Sequence, residues 1–133
     1  MHHTTEIPVR GYHIDLYGHV SHTRYLELLE EARWRLFGER MDRATLNKTE
    51  SPLVVVNVNI DYRAPAKVYD TLVIETSTES IGRTSAVLRQ QISIQEKTTI
   101  IADARVTFVA VDPRSQKPIP IAGALRALLE DLR

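Results

Sequence analysis

The stretch from Gly11 to Trp34, GYHIDLYGHVSHTRYLELLEEARW, decides how the rest of the chain is read. A short extended run enters a turn that carries Asp15, Tyr17, His19 and His22, and the turn opens into a helix. Three of the chain's five histidines fall between Gly11 and Thr23, so reactive side chains are concentrated here. After the turn, Tyr25, Leu28, Leu29, Ala32 and Leu36 recur at spacings of three and four, the apolar stripe of a helix over residues 22–37. Glu31 stands four residues before Arg35, the favourable order for an ion pair on the wet face. The helix is expected to end near Gly38.

Working outward, Ile7 to Ile14 reads as a first strand with irregular alternation. Residues 39–52, closing with Ser51-Pro52, form a polar connector with room for a short helical turn. From Leu53 the period changes to two: Val54, Val56, Val58, Ile60 and Tyr62 share one face, and Val55, Asn57, Asn59, Asp61 and Arg63 the other. Pro65 stops this strand. A third runs from Leu72 through Ile74 and Thr76 to Ile81-Gly82. Ala86, Leu88, Gln90, Ile92 and Ile94 mark one face of a fourth, and Ile100 to Ala110 form a fifth before Asp112-Pro113. Leu125, Leu128, Leu129 and Leu132 predict a closing helix. Successive turn-bounded strands are most simply an antiparallel meander, and a long sheet with one apolar face needs a cover, which the helix at 22–37 supplies. The order β-α-β-β-β-β predicts the α+β class. No repeat or linker divides the chain, so residues 1–133 are expected to form a single domain.

Composition removes several functions. At 43% hydrophobic and 26% charged residues the chain lies in the soluble globular range. Without cysteine it has no disulfide framework, thiolate metal site or cysteine nucleophile, which fits a reducing, cytoplasmic setting. Lys+Arg and Asp+Glu total 17 each, so no global basic field exists for nucleic acid or an anionic membrane. Any anionic ligand must be gripped locally. The first residues lack the apolar core of a signal peptide, no run approaches the ~18 apolar residues of a membrane span, and His2 and His3 are given no function.

Asp15 alone would ordinarily be a helix cap or the pivot of an Asx turn. Ser21, immediately before the apolar stripe, is the better placed N-cap, which releases Asp15 for other work. His22 then becomes the first helical residue, with a backbone N–H that has no acceptor within the helix. Such an amide, at the positive end of a helix, suits an oxygen gaining negative charge. A carboxylate beside it completes the minimum kit for acyl transfer. Gly18 permits a sharp turn. His19 fits two readings equally: orienting Asp15 or water, or a buried histidine bonded to the turn. His13, Asp15, His19 and His22 are residue types that ligate zinc or iron but lack the helical HExxH spacing, so a metal site is only a minor alternative and none is assigned. No GxSxG occurs, which argues against a serine hydrolase.

Arg83, Thr84 and Ser85 follow Gly82 in a hairpin turn, ordinarily a solvated one, yet with a positive charge and two hydroxyls. Arg63 and Lys67 flank Pro65 as a second basic edge. These suffice for one phosphorylated small molecule, not for nucleic acid. Asn57 and Asn59 are unusual in a strand and mark a subunit contact or a pocket wall. Trp34 and Phe37 are expected in the core or at an interface.

The run DLYGHVSHTRYL resembles the signature of the hotdog-fold thioesterases of the 4-hydroxybenzoyl-CoA thioesterase type. RGYHIDLYGHVSHTRYLELLEEARW, VVVNVNIDYRAPA and ADARVTFVAVD together resemble the FadM-type long-chain acyl-CoA thioesterases over most of the chain. The resemblance implies a hotdog fold, an antiparallel sheet of about five strands wrapped around a long central helix. It implies edge-to-edge homodimers, commonly homotetramers, with the active site at the subunit interface. By match to the motif, Asp15 takes the catalytic aspartate's place and the His22 backbone amide that of the oxyanion donor, with His19 as a third catalytic candidate. Gly82 to Ser85 matches the segment that meets coenzyme A from the neighbouring subunit, so Arg83, Thr84 and Ser85 are assigned to CoA, and Tyr25 and Asn57 to the substrate pocket. Many relatives carry Asn at the positions of Ser21 and His22, a departure that a main-chain donor tolerates. The implied function is hydrolysis of medium- to long-chain fatty acyl-CoA by water with no cofactor. Enoyl-thioester hydration by Asp15 and His19, and non-catalytic acyl-CoA binding, are the alternatives on the same fold.

Overall fold

A computed structural model describes residues 2–41 and 53–133. Strand β1 (His3–Pro8) leads through a 3-10 turn at Gly11–His13 into helix α1 (His22–Arg40). Strands β2 (Leu53–Tyr62), β3 (Thr71–Ile81), β4 (Ser85–Ile94) and β5 (Ile100–Ala110) follow, and helix α2 (Gly123–Asp131) closes the chain. The strands form one antiparallel sheet in the order β1-β3-β4-β5-β2. The polar connector expected over residues 39–52 lies mostly outside the described residues.

The expected meander therefore holds only for β3, β4 and β5. β2 pairs with β5 at one edge, and the chain then crosses the end of the sheet to start β3 beside β1. Pro65 lies in this crossover. Arg63 N–H donates to Ile101 O at 2.8 Å, Val20 N–H donates to Ala66 O at 2.9 Å, and Val9 N–H donates to Asp70 O at 2.8 Å.

Two further expectations are corrected. The first strand is His3–Pro8, not Ile7 to Ile14: His3, Thr5 and Ile7 alternate inward, and beyond Pro8 the chain turns into the 3-10 segment, where Tyr12 is exposed. Helix α1 runs past Gly38 to Arg40, because Met41 packs with Leu36, Leu128 and Leu132 and its amide donates to Phe37 O at 3.0 Å.

The stripe of α1 lies where its period put it. Tyr25, Leu28, Leu29 and Ala32 pack on Leu72, Ile74, Ile92, Ala102 and Ala104 of the sheet. Leu29, Leu72, Ile74 and Ile92 are fully buried, each worth about 1.5–3 kcal/mol of hydrophobic stabilisation. Helix α2 covers the other end of the same face through Leu125 and Leu129 on Ala86, Leu88 and Phe108. Gln90 is a polar residue on this apolar face, beside the buried Thr76. It is fully buried, and its amide donates to Leu29 O and Thr76 Oγ1, both at 3.1 Å, while Arg33 donates to its Oε1 at 2.8 Å. Burial lowers the Arg33 pKa, with Glu30 opposing. Trp34 does not enter the core; it is 70% exposed on the outer side of α1.

The register of β2 also departs from simple alternation. The ladder shifts between Val55 and Asn57, a bulge at Val56. Val58, Ile60 and Tyr62 lie opposite Val106, Ala104 and Ala102 on the helix-facing side, as expected. Before the bulge the phase reverses: Val55 lies opposite the buried Phe108, and Val54 faces outward with Val109. β2 is an open edge, and Val54, Val55, Val56 and Val58 are between 38% and 56% exposed.

Candidate active site

The loop from Asp15 to His19 is closed at its base by a bridge between Ile14 and Val20. Asp15 N–H donates to His19 O at 2.9 Å, and Gly18 N–H donates to Asp15 O at 3.1 Å. Gly18 has φ of +80°, a conformation that strains any residue with a Cβ, so the sharp-turn reading of this glycine holds. Asp15 Oδ1 accepts the Tyr17 amide at 2.8 Å, an Asx turn. The ordinary reading of Asp15 is therefore present, and it aligns the carboxylate rather than consuming it: Oδ1 has one local donor, and the group is half-buried.

Ser21 occupies the N-cap position and His22 is the first residue of α1. The Ser21 hydroxyl makes no bond to a first-turn amide; Oγ lies 3.0 Å from Thr23 Oγ1 instead. The loop is fastened behind the site by Ser21 N–H, which donates to His13 O at 2.9 Å. His13 is buried, and its Nδ1 accepts the Arg10 amide at 2.9 Å. Burial, then the Arg24 charge, lowers its pKa against the opposing pull of Glu27, so this ring is a structural part of the turn. His19 is half-exposed rather than buried.

Tyr62, which the sequence placed only as a strand-face residue, reaches this site from the end of β2. Its hydroxyl donates to His22 O at 3.0 Å. Its ring meets the His22 ring edge-on, with centroids 6.1 Å apart, and leans on the Tyr25 ring at 5.6 Å. Tyr25 is 3% exposed and its hydroxyl has no hydrogen-bond partner. Burial pushes its phenol up to about 12, and the nearby Ala66 amide, outside hydrogen-bond geometry, opposes this. The usable signal for Tyr62 was its phase with Val58 and Ile60, together with its position just before Pro65 at the crossover.

The remaining candidates lie elsewhere in the chain. Arg83, Thr84 and Ser85 form the β3–β4 hairpin beside α2, where Ile121 N–H donates to Arg83 O at 2.7 Å and Ala110 N–H donates to Thr84 O at 2.9 Å. Tyr62 pairs with Ala102 and Ser85 with Val109, so the steps of β5 between them, at about 3.3 Å each, separate the hairpin from the Asp15 loop by roughly 23 Å. Asn57 lies opposite Thr107 on the outer sheet face, away from α1, and is exposed. Arg63 lies 3.9 Å from both Asp61 and Asp103, so its charge is largely answered. A groove of about 330 Å³ opens between Tyr12, His13 and α1, but Asp15 does not line it, and the Arg24–Glu27 and Arg35–Glu31 pairs beside it answer each other's charges. Among the described residues no three His, Asp or Glu side chains converge as a metal ligand set, and no helix is long and apolar enough to cross a membrane.

A five-stranded antiparallel sheet carrying a long helix on one face, with the Asp15 loop leading into that helix, is a hotdog fold. A family model described as the thioesterase superfamily matches residues 17–101. The chain is 41% identical over 128 residues, 96% of its length and 97% of the relative's, to the long-chain acyl-CoA thioesterase FadM of Escherichia coli strain K12. It is 33% identical, over 84% of each chain, to the acyl-CoA thioester hydrolase YbgC of Escherichia coli O6:H1. The crystal structure of the probable thioesterase YbaW from Escherichia coli superposes with a TM-score of 0.87 at 40% identity, covering 97% of each chain. The 1,4-dihydroxy-2-naphthoyl-CoA thioesterase Slr0204 from Synechocystis superposes at 0.88 over 99% of this chain and 98% of that one; at 21% identity it speaks to the fold alone. The chain belongs to the thioesterase superfamily.

Proposed function

We propose that this protein hydrolyses medium- to long-chain fatty acyl-CoA thioesters, with the Asp15 carboxylate attacking the thioester carbonyl or activating water and the His22 amide receiving the oxyanion. The observation that carries this reading is the shared loop: the Asx turn holds Asp15 at one end, and at the other α1 begins at His22 with no side-chain cap on its first-turn amides. The resulting thiolate leaves as coenzyme A, and water supplies both the oxygen of the acid and the proton balance, so no cofactor is required. The identity to a long-chain acyl-CoA thioesterase over nearly the whole chain supports the substrate class.

The working unit in this proposal is a homodimer, further paired into a homotetramer, in the cytoplasm. Support comes from the open β2 edge with its exposed valines, a surface that isolated proteins ordinarily blunt. Antiparallel pairing of two copies along β2 brings the Leu53 end of one strand beside the Tyr62 end of the other. Leu53 neighbours Ala110, and Ser85 neighbours Val109, so the Arg83-Thr84-Ser85 turn of the second copy arrives on the Asp15 side about three strand spacings, roughly 14 Å, away. That is a suitable reach for the phosphate and nucleotide portion of coenzyme A.

The test is thiol release from a series of saturated acyl-CoA esters of increasing length. Turnover that rises toward the longer chains is expected. Binding without release of free CoA would overturn the hydrolase reading.

A further inference from the structure

The first turn of α1 lacks the usual way of holding its end. An N-cap hydroxyl ordinarily accepts a bond from an amide of the first turn and so stiffens it, but the same bond uses up a donor. Ser21 makes no such bond. The turn is instead gripped from the carbonyl side, by the Tyr62 hydroxyl donating to His22 O at 3.0 Å across 40 residues of sequence.

We propose that Tyr62 is a positioning residue for the thioesterase reaction: it pins the His22 carbonyl to the sheet so that the His22 amide is held in place yet left free for the oxyanion, while the Arg24 amide of the same turn donates to Ser21 O at 2.9 Å. This rests on the reading of the His22 amide given above. The anchor itself is rigid. Tyr62 pairs with Ala102 in the β2–β5 ladder, and the next residue, Arg63, continues the bonding to Ile101 O. Its ring is braced between the His22 ring, at an interplanar angle of 86°, and the buried Tyr25 ring at 46°. Desolvation raises the Tyr62 phenol above its ordinary pKa, so it stays a donor at neutral pH. A donor array gains catalytic strength from being fixed before the charge develops, and small displacements are costly. A tyrosine that fixes the array without touching it therefore belongs to kcat and not to substrate affinity.

The test is Tyr62→Phe in the full chain, which keeps both ring contacts and removes only the hydroxyl. With a long acyl-CoA, kcat is expected to fall about tenfold, the loss of one ordinary hydrogen bond, while KM changes less than about twofold. Hydrogen exchange of the Arg24 amide, which is bonded to Ser21 O at 2.9 Å in this first turn, is expected to quicken, with exchange in β4 unchanged. An unaltered kcat, a loss confined to KM, or a fall in kcat without faster first-turn exchange would each overturn the proposal. Asp15→Asn is assayed alongside. If that variant retains turnover, the site reading itself fails, and the exchange data still report on the anchor. If it abolishes turnover while Tyr62→Phe does not slow it, only the positioning role falls.

Discussion

Asp15 Oδ1 accepts the backbone amide of Tyr17 at 2.8 Å, so the side chain proposed for the chemistry also shapes its own loop. Asparagine presents the same carbonyl oxygen to that amide. Asp15→Asn is therefore expected to keep the loop, with unfolding free energy within about 0.5 kcal/mol of the parent, while kcat for acyl-CoA falls by roughly 10²–10⁴. Thiol release and urea unfolding on one preparation check both halves, and near-parental turnover removes Asp15 from the reaction.

Gly18 sits at φ +80° with open space around a notional Cβ, so strain, not crowding, governs its replacement. Gly18→Ala should cost about 1–2 kcal/mol and slow turnover by disturbing the Asx turn. Gly18→Asn should cost less, because asparagine tolerates this conformation better. Equal losses for the two in urea melts would show that the loop does not demand the left-handed region.

Gln90 answers three groups at once: the Arg33 guanidinium, the Leu29 carbonyl and the Thr76 hydroxyl. Gln90→Leu strands a largely buried cation and is expected to destabilise by about 2–4 kcal/mol. Adding Arg33→Leu should recover part of that loss, since the uncompensated charge leaves with it. A double-mutant cycle by chemical denaturation measures the coupling; strictly additive effects would mean the two side chains act independently.

Burial holds the folded-state pKa of His13 below the ordinary 6.5, so as pH falls the unfolded chain takes up this proton first. The stability that neutral His13 supports is complete above about pH 6.5 and is lost progressively below it, down to the folded-state pKa. Unfolding free energy is thus expected to drop as pH falls below about 6.5, and His13→Asn should reduce the drop. Unchanged pH dependence in the variant would assign the effect to other groups.

The exposed valines of β2 predict an association state. Lysine at Val54 and Val56 places charge along the proposed shared edge. Light scattering should show the parent as a dimer or tetramer and the double variant as a smaller species with weakened turnover. A monomeric parent at full activity would rule out the shared site.

Much of this architecture was readable because its signals are local and repetitive. Tyr25, Leu28, Leu29, Ala32 and Leu36 announce one helix face by spacing alone, and all five are buried. Ala86, Leu88, Gln90, Ile92 and Ile94 do the same for β4. Ser21 and His22 were legible as a helix start because the stripe begins just after them. What escaped depends on partners distant in sequence. The bulge at Val56 follows from how β2 meets β5, and no property of VVV reveals it. The reversal that sends the chain from β2 to β3 follows Pro65 and is fastened by Ala66 O, which accepts the Val20 amide. Tyr62 gained its place beside His22 only through that crossover, which no periodicity describes.

The crossover also bears on where this polypeptide tolerates being opened. Through Arg63, Ala66 and Asp70 it ties β5, the start of α1 and β1 together, so a protease nick or a permuted terminus there would unfasten three elements at once. The β4–β5 hairpin tip at 96–99 is wholly exposed, and the backbone bond there, Lys97 N–H to Ile94 O at 3.0 Å, stays within the hairpin. New chain ends placed at that tip should leave a foldable, active molecule, whereas ends placed beside Pro65 should not.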